Sequence, residues 1–201
     1  MKIAVLASGS GTNLQNLITQ LHTDKNCHIE IAVVISDRKN AYALQRAKHA
    51  GIPQEIIRSQ HFRDRVEFDN AIAKKIQDYD VDLIVLAGYM KLFQPPFVRQ
   101  FRNRIINIHP SLLPAFPGAN AVADTLAYGV KVSGVTVHFV DEGVDTGPII
   151  AQAAVPVYDG DDEETLHQRI QIEEHKLYPE VIKKYAQEKI KIQDHNVVTI
   201  K

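Results

Sequence analysis

Asn107 and His109 stand two residues apart at the end of an apolar run, with Pro110 directly after them. The segment Ile105-Ile106-Asn107-Ile108-His109 reads as a buried strand, in which two polar side chains need partners or a task. Their i, i+2 spacing puts both on one sheet face. Pro110 removes a backbone donor, ends pairing and keeps His109 extended. An amide beside an imidazole suits a carbonyl carbon under attack. Asn107 can donate to the developing oxyanion, and His109 can donate or shuttle a proton. An isolated pair is more often a core histidine, hydrogen-bonded, beside an asparagine turn. Asp145 lies in the acid-rich, turn-forming stretch Asp141-Glu142-Gly143-Val144-Asp145-Thr146-Gly147-Pro148. Held near His109, it would favour the charged, proton-donating ring. A solvated hairpin turn is the other reading of that stretch.

A second feature is the loop Ser8-Gly9-Ser10-Gly11-Thr12-Asn13, which follows an apolar run and precedes a helical pattern. Ligands of open α/β sheets bind at the carboxyl ends of strands. A helix start there offers free N–H groups and a partial positive charge, which suit a phosphate. Gly9 and Gly11 allow close backbone approach, while Thr12 and Asn13 add side-chain donors or caps. The loop is not a Walker A sequence, because no Gly-Lys-Ser/Thr follows. It also fails the dinucleotide fingerprint, since Leu14 stands where the third glycine belongs. By itself it equally describes a tight strand–helix turn.

The elements that must position these residues follow from periodicity. Ile3 to Ala7, Ile29 to Ile35, Gln54 to Ile57 and Val81 to Ala87 read as strands. Between them, Leu14, Leu17, Ile18 and Leu21 mark one helix face, Ala41 to Ala50 a second helix, and Phe68, Ile72 and Ile76 a third. This alternation predicts right-handed βαβ units and a mostly parallel, twisted sheet with helices on both faces, Rossmann-like in its N-terminal half. In the C-terminal half, Val135, Val137 and Phe139 alternate with Thr136, His138 and Val140, and Ile149 to Val157 follows after a turn. That pair predicts an antiparallel addition to the sheet. A long C-terminal helix carries Leu166, Ile170, Leu177, Val181 and Tyr185. His138, on a strand close in sequence to Asp145, could partner the site, but such a residue is more often a satisfied structural histidine. No internal repeat or linker interrupts the chain, so a single domain over 1–201 is expected.

Bulk properties narrow the class. The chain has 201 residues, 45% apolar and 23% charged, with a net charge of −1. Acids and bases are mixed along it, which leaves no electrostatic footprint for nucleic acid or an anionic membrane. Cys27 is the single cysteine, so neither an internal disulfide nor a thiolate metal cluster is available. The apolar start breaks at Ser8-Gly9, too early for a signal peptide, and no stretch approaches the ~20 apolar residues of a membrane helix. A cytoplasmic location is expected.

Taken together, Ser8-Gly9-Ser10-Gly11-Thr12-Asn13-Leu14-Gln15, Asn107-Ile108-His109-Pro110-Ser111-Leu112-Leu113-Pro114 and Val144-Asp145-Thr146-Gly147-Pro148 resemble the phosphoribosylglycinamide formyltransferases. This is a folate-dependent family of purine biosynthesis. The similarity runs from Lys2 to Pro179. It implies transfer of a formyl group from 10-formyltetrahydrofolate, a co-substrate, to the amine of glycinamide ribonucleotide (GAR), without a metal. By resemblance, Asn107, His109 and Asp145 are catalytic. Gly11, Thr12 and Asn13 hold the substrate phosphate, and Gln171 and Glu174 the rest of the ribonucleotide. Folate falls to Arg65, Met90, Lys91, Leu92, Phe93 and Asn107. The partners implied are small molecules, with the chain a monomer or homodimer. Glu174 has support of its own, because it shares a helix stripe with Ile170, Leu177 and Val181 and should face inward.

Two positions depart from the family pattern. Lys91 stands where some members have Arg, which loses the planar fork, and Val122 stands where His or Gln is expected. A formyltetrahydrofolate deformylase would use the same Asn, His and Asp with water, but with an extra N-terminal domain and no phosphate loop. A methionyl-tRNA formyltransferase would need a further C-terminal domain and a basic surface. A non-catalytic folate- or nucleotide-binding module, and an oxidoreductase using Asp37 after the second strand, are the remaining alternatives.

Overall fold

Ile3, Ala4, Val5 and Leu6 are all fully buried, because strand β1 (Lys2–Leu6) is covered on both faces. The computed structural model describes residues 1–24, 26–193 and 196–199. Two compact units divide the chain, Met1–Ile106 and Asn107–Lys201.

In the first unit, β1 pairs in parallel with β2 (Glu30–Ser36) and β4 (Leu83–Leu86), and β2 pairs in parallel with β3 (Gln54–Ile56). Helix α1 (Thr12–Leu17) runs on into a π-helical turn, Ile18–His22, so Leu14, Leu17, Ile18 and Leu21 all reach the core. Helices α2 (Tyr42–His49) and α3 (Arg65–Asp78) fall where the periodicity places them. Asp64 caps α3 by accepting from the Glu67 N–H, a bond that leaves its carboxyl more acidic than usual. Helix α4 (Pro95–Gln100) opens with Pro95-Pro96, which suits a first helical turn whose N–H groups need no intrahelical partner.

The boundary between the units falls within β5 (Ile105–His109). The second unit continues with α5 (Ala121–Tyr128), ended by Gly129 at φ 82°, and an antiparallel pair, β6 (Val132–Phe139) with β7 (Ile149–Pro156). Helix α6 (Glu163–Ala186) starts at a capping box in which Asp162 and Thr165 exchange side-chain and backbone bonds. A hairpin of β8 (Ile190–Gln193) and β9 (Asn196–Thr199) ends the described chain. Among the described residues the strand order is β3-β2-β1-β4-β5-β6-β7, a mixed and mostly parallel sheet with helices on both faces, as the alternation predicts. No helix among them is long and apolar enough to cross a membrane.

Candidate active site

Four polar side chains of the second unit meet where β5, β6 and the turn between β6 and β7 come together. Asn107 and His109 leave β5, His138 leaves β6, and Asp145 lies in the turn. His109 and His138 are almost wholly buried, at 4% and 1% exposure. His138 Nδ1 lies 2.9 Å from the Phe139 carbonyl, an atom that only accepts, so Nδ1 carries the hydrogen. Burial holds this ring below its ordinary protonation range, against the opposing pull of the Phe139 carbonyl and the Asp145 carboxylate. In the neutral ring that remains, Nε2 is an acceptor. It takes a hydrogen from Asn107 Nδ2 at 3.2 Å. One N–H of the Asn107 amide is thereby spent on His138, and the other is oriented by that bond.

Asp145 stands between the two histidines. Its Oδ2 is 3.5 Å from His109 Nδ1, and its Oδ1 is 3.6 Å from His138 Nε2. The first is longer than an ordinary N–H···O bond, and in the second two acceptors face each other with no hydrogen between them. The bond Asp145 does form comes from the Gly118 N–H, 2.8 Å from Oδ2. His109 Nε2 donates to the Phe116 carbonyl at 2.8 Å. Both ring nitrogens of His109 therefore face acceptors, an arrangement suited to a proton donor.

The turn holds Asp145 in this place by its own local bonds. Asp141 Oδ1 accepts from the Gly143 N–H at 3.0 Å and from the Thr146 hydroxyl at 2.7 Å. Asp145 itself adopts φ 55°, a left-handed conformation that Asp tolerates better than most residues. Gly147 lies so close to β6 that a Cβ there would sit 1.9 Å from the Phe139 carbonyl oxygen, so only glycine fits. The segment after His109 is anchored from β6 and β7. Thr136 Oγ1 donates to the Ser111 carbonyl at 2.7 Å and accepts from the Leu113 N–H at 3.0 Å. Gln152 Nε2 donates to the Leu113 carbonyl and to Thr136 Oγ1, each at 2.9 Å. Val122 is buried on α5, the setting of an apolar side chain rather than a polar loop contact.

On α6 of the same unit, Glu174 is buried at 5% exposure, in the stripe of Ile170 and Val181, and Gln171 is half-buried. The inward orientation read from the periodicity is what the helix shows.

The first unit holds the remaining candidates. Gly11 caps α1 at φ 70°, and a Cβ on it would lie 2.7 Å from the Ala43 Cβ. The loop is thus pressed onto α2, where the Ala43 N–H donates to the Gly9 carbonyl and Arg46 Nε to the Ser10 carbonyl. Thr12 and Asn13 are half-buried at the start of α1. After β4, Met90 and Leu92 are exposed at 58% and 57%, and Lys91 is half-buried. Phe93 stacks between Tyr89 and Phe97, with ring centroids 5.6 and 4.0 Å away, so it builds the wall rather than projecting from it. Arg65, at the start of α3, donates to the Leu92 carbonyl. Among the described residues, no group of three or more His, Cys, Asp or Glu side chains is placed to hold a metal ion.

Of these residues, the sequence reading gave His138 the least weight. It is the side chain that touches both Asn107 and Asp145. Thr136 and His138 are polar at i, i+2 on one face of a strand whose other face is Val135, Val137 and Phe139. That is the same signal that singled out Asn107 and His109.

Comparison with known proteins shows the family. A family model described as formyl transferase matches residues 1–182. The trifunctional purine biosynthetic protein adenosine-3 of Drosophila melanogaster is 47% identical over 182 residues, 90% of this chain. The match spans only 14% of that larger protein's length. The phosphoribosylglycinamide formyltransferase of Haemophilus influenzae is 44% identical over 194 residues, covering 96% of this chain and 91% of that protein. The crystal structure of glycinamide ribonucleotide transformylase 1 from Symbiobacterium toebii superposes with a TM-score of 0.97 at 49% identity, over 100% of this chain and 94% of the other. With the family model matched over most of its length, the chain belongs to the formyl transferase family.

Proposed function

We propose that this chain transfers a formyl group from 10-formyltetrahydrofolate to the amine of glycinamide ribonucleotide, in the cytoplasm, as one formyltransferase domain over 1–201. The observation that carries the reading is the clustered set Asn107, His138, Asp145 and His109, a carbonyl-activating group in a chain of this family. The amine attacks the formyl carbon. The carbonyl oxygen becomes an oxyanion and takes the N–H that Asn107 has left after bonding His138. His109 gives its proton to the departing folate nitrogen as the carbon–nitrogen bond breaks, and Asp145 helps carry the proton released by the amine. No bond to the enzyme forms, and no metal is needed for an amine nucleophile.

Magnitudes rank the contributions. Holding the two reactants together supplies the most, ~7–11 kcal/mol. One oxyanion donor supplies about 3–4 kcal/mol, and general acid help about 10²–10⁴-fold. Gly11, Thr12 and Asn13 are assigned to the ribonucleotide phosphate, with Gln171 and Glu174 on the remainder. Arg65, Met90, Lys91, Leu92 and Phe93, with Asn107, are assigned to the folate. The buried position of Glu174 and the exposed apolar side chains of Met90 and Leu92 support these assignments.

The test is folate release from 10-formyltetrahydrofolate with and without glycinamide ribonucleotide. Release that depends on the ribonucleotide is expected. Release at the same rate without it makes the chain a deformylase, and binding with no release makes it a non-catalytic module.

A further inference from the structure

Asp37, weighed above only as a residue of an oxidoreductase, has a different occupation. It sits just past β2, 8% exposed, and its Oδ1 accepts from the Ser8 hydroxyl at 2.6 Å. Ser8 follows β1, opens the glycine loop and is 2% exposed. The same hydroxyl oxygen accepts from the Met90 N–H at 2.9 Å, and the Ser8 N–H donates to the Gly88 carbonyl at 3.0 Å. A carboxylate can only accept, so it fixes the direction of the Ser8 hydrogen and leaves the oxygen lone pairs for Met90. One buried hydroxyl thereby ties together the carboxyl ends of β1, β2 and β4.

The segment it grips is the one assigned to the folate. Its backbone is held at Met90 by Ser8 and at Leu92 by Arg65, while the Met90 and Leu92 side chains stay exposed. Large apolar side chains on a backbone fixed at both ends are presented to a ligand with little ordering left to do. From this geometry we infer that Ser8 and Asp37 are positioning residues for the folate, although Ser8 belongs by sequence to the glycine loop assigned to the ribonucleotide phosphate. The inference rests on the assignment of Met90 to Phe93 to the folate.

The experiment measures binding, with 5-formyltetrahydrofolate as folate probe and ribose 5-phosphate as phosphate probe, by calorimetry on the whole chain. In Ser8→Ala the folate Kd is expected to rise about three- to tenfold, the worth of one buried hydrogen bond. The ribose 5-phosphate Kd should stay within about twofold, since Gly9, Ser10 and Gly11 keep their own contacts with α2. Ser8→Thr, which keeps the hydroxyl, restores folate binding. A merely structural role would weaken both probes together, and that result, or no change in either, overturns the inference. If Ser8→Ala does not fold, Asp37→Asn replaces it. There the amide can turn a donor toward Ser8 and compete with Met90, so the folate Kd should again rise alone, with faster hydrogen exchange at the Met90 amide. A wild-type chain that binds neither probe removes the underlying assignment instead, a result distinct from either outcome in the variants.

Discussion

Replacing Asn107 or His109 by alanine is expected to cut kcat by about 10²–10⁴-fold while both ligands still bind. The two losses have different causes. Asn107→Ala removes the N–H proposed to meet the oxyanion, and it also takes from the buried His138 Nε2 acceptor the donor at 3.2 Å. Asn107→Asp keeps the shape but offers an N–H neither to the oxyanion nor to His138 Nε2, so it removes both donations without opening a void. His109→Ala removes the proposed acid and leaves the Phe116 carbonyl the longer bond from the Ser111 hydroxyl, at 3.3 Å, so the segment from Ser111 to Gly118 should also loosen. Single-turnover kinetics separate these effects from binding. Near-normal turnover in an alanine variant would remove that residue from the reaction.

His138→Leu is expected to lower kcat by about ten- to hundredfold without loss of ligand binding, because a freed Asn107 amide no longer aims at the formyl oxygen. His138→Gln, whose side-chain oxygen can still accept from Asn107, should recover part of that loss. The same residue couples stability to pH. In the unfolded chain it titrates near its ordinary value of about 6.5. In the folded chain burial lowers that value, so the native state binds fewer protons in the window below about 6.5. Stability is therefore complete above about pH 6.5 and falls as the pH drops toward the lowered native value. Urea midpoints measured across this window should show a shallower slope in His138→Gln. The slope that remains belongs in part to His175, which burial also holds down. An unchanged slope together with an unchanged kcat would mean that His138 only fills space.

The strands were readable because residues buried on both faces leave unbroken apolar runs, as in Ile3 to Leu6 and Val33 to Ile35. Helix α5 was not. Ala121 to Tyr128 is short, contains two alanines and a threonine in its inward or half-buried positions, and lies within what reads as a loop. Helix α4 was hidden by Pro95-Pro96, which look like a break when they are in fact a helix start. The β8–β9 hairpin is too short for its alternation to stand out.

The site divides in a similar way. Asn107 and His109 announce themselves as polar residues in an apolar strand. The reach of Asp145 to His109 could not be read, because it depends on a left-handed turn residue and on a glycine packed under a carbonyl. Neither constraint leaves a periodic trace. His138 was visible as a buried polar position, but its role depends on a tautomer set by the neighbouring Phe139 carbonyl. The Ser8–Asp37 bond joins residues 29 apart, and only the parallel pairing of β1 with β2 brings them together.

The fate of the formyl carbon tests direct transfer most simply. With 10-formyltetrahydrofolate carrying ¹³C in the formyl group, and glycinamide ribonucleotide present, carbon NMR should show the label passing from the folate into a new amide on the ribonucleotide. Label recovered as formate, with the ribonucleotide amine untouched, would overturn the assignment of this chain as a formyltransferase acting through Asn107, His138, Asp145 and His109.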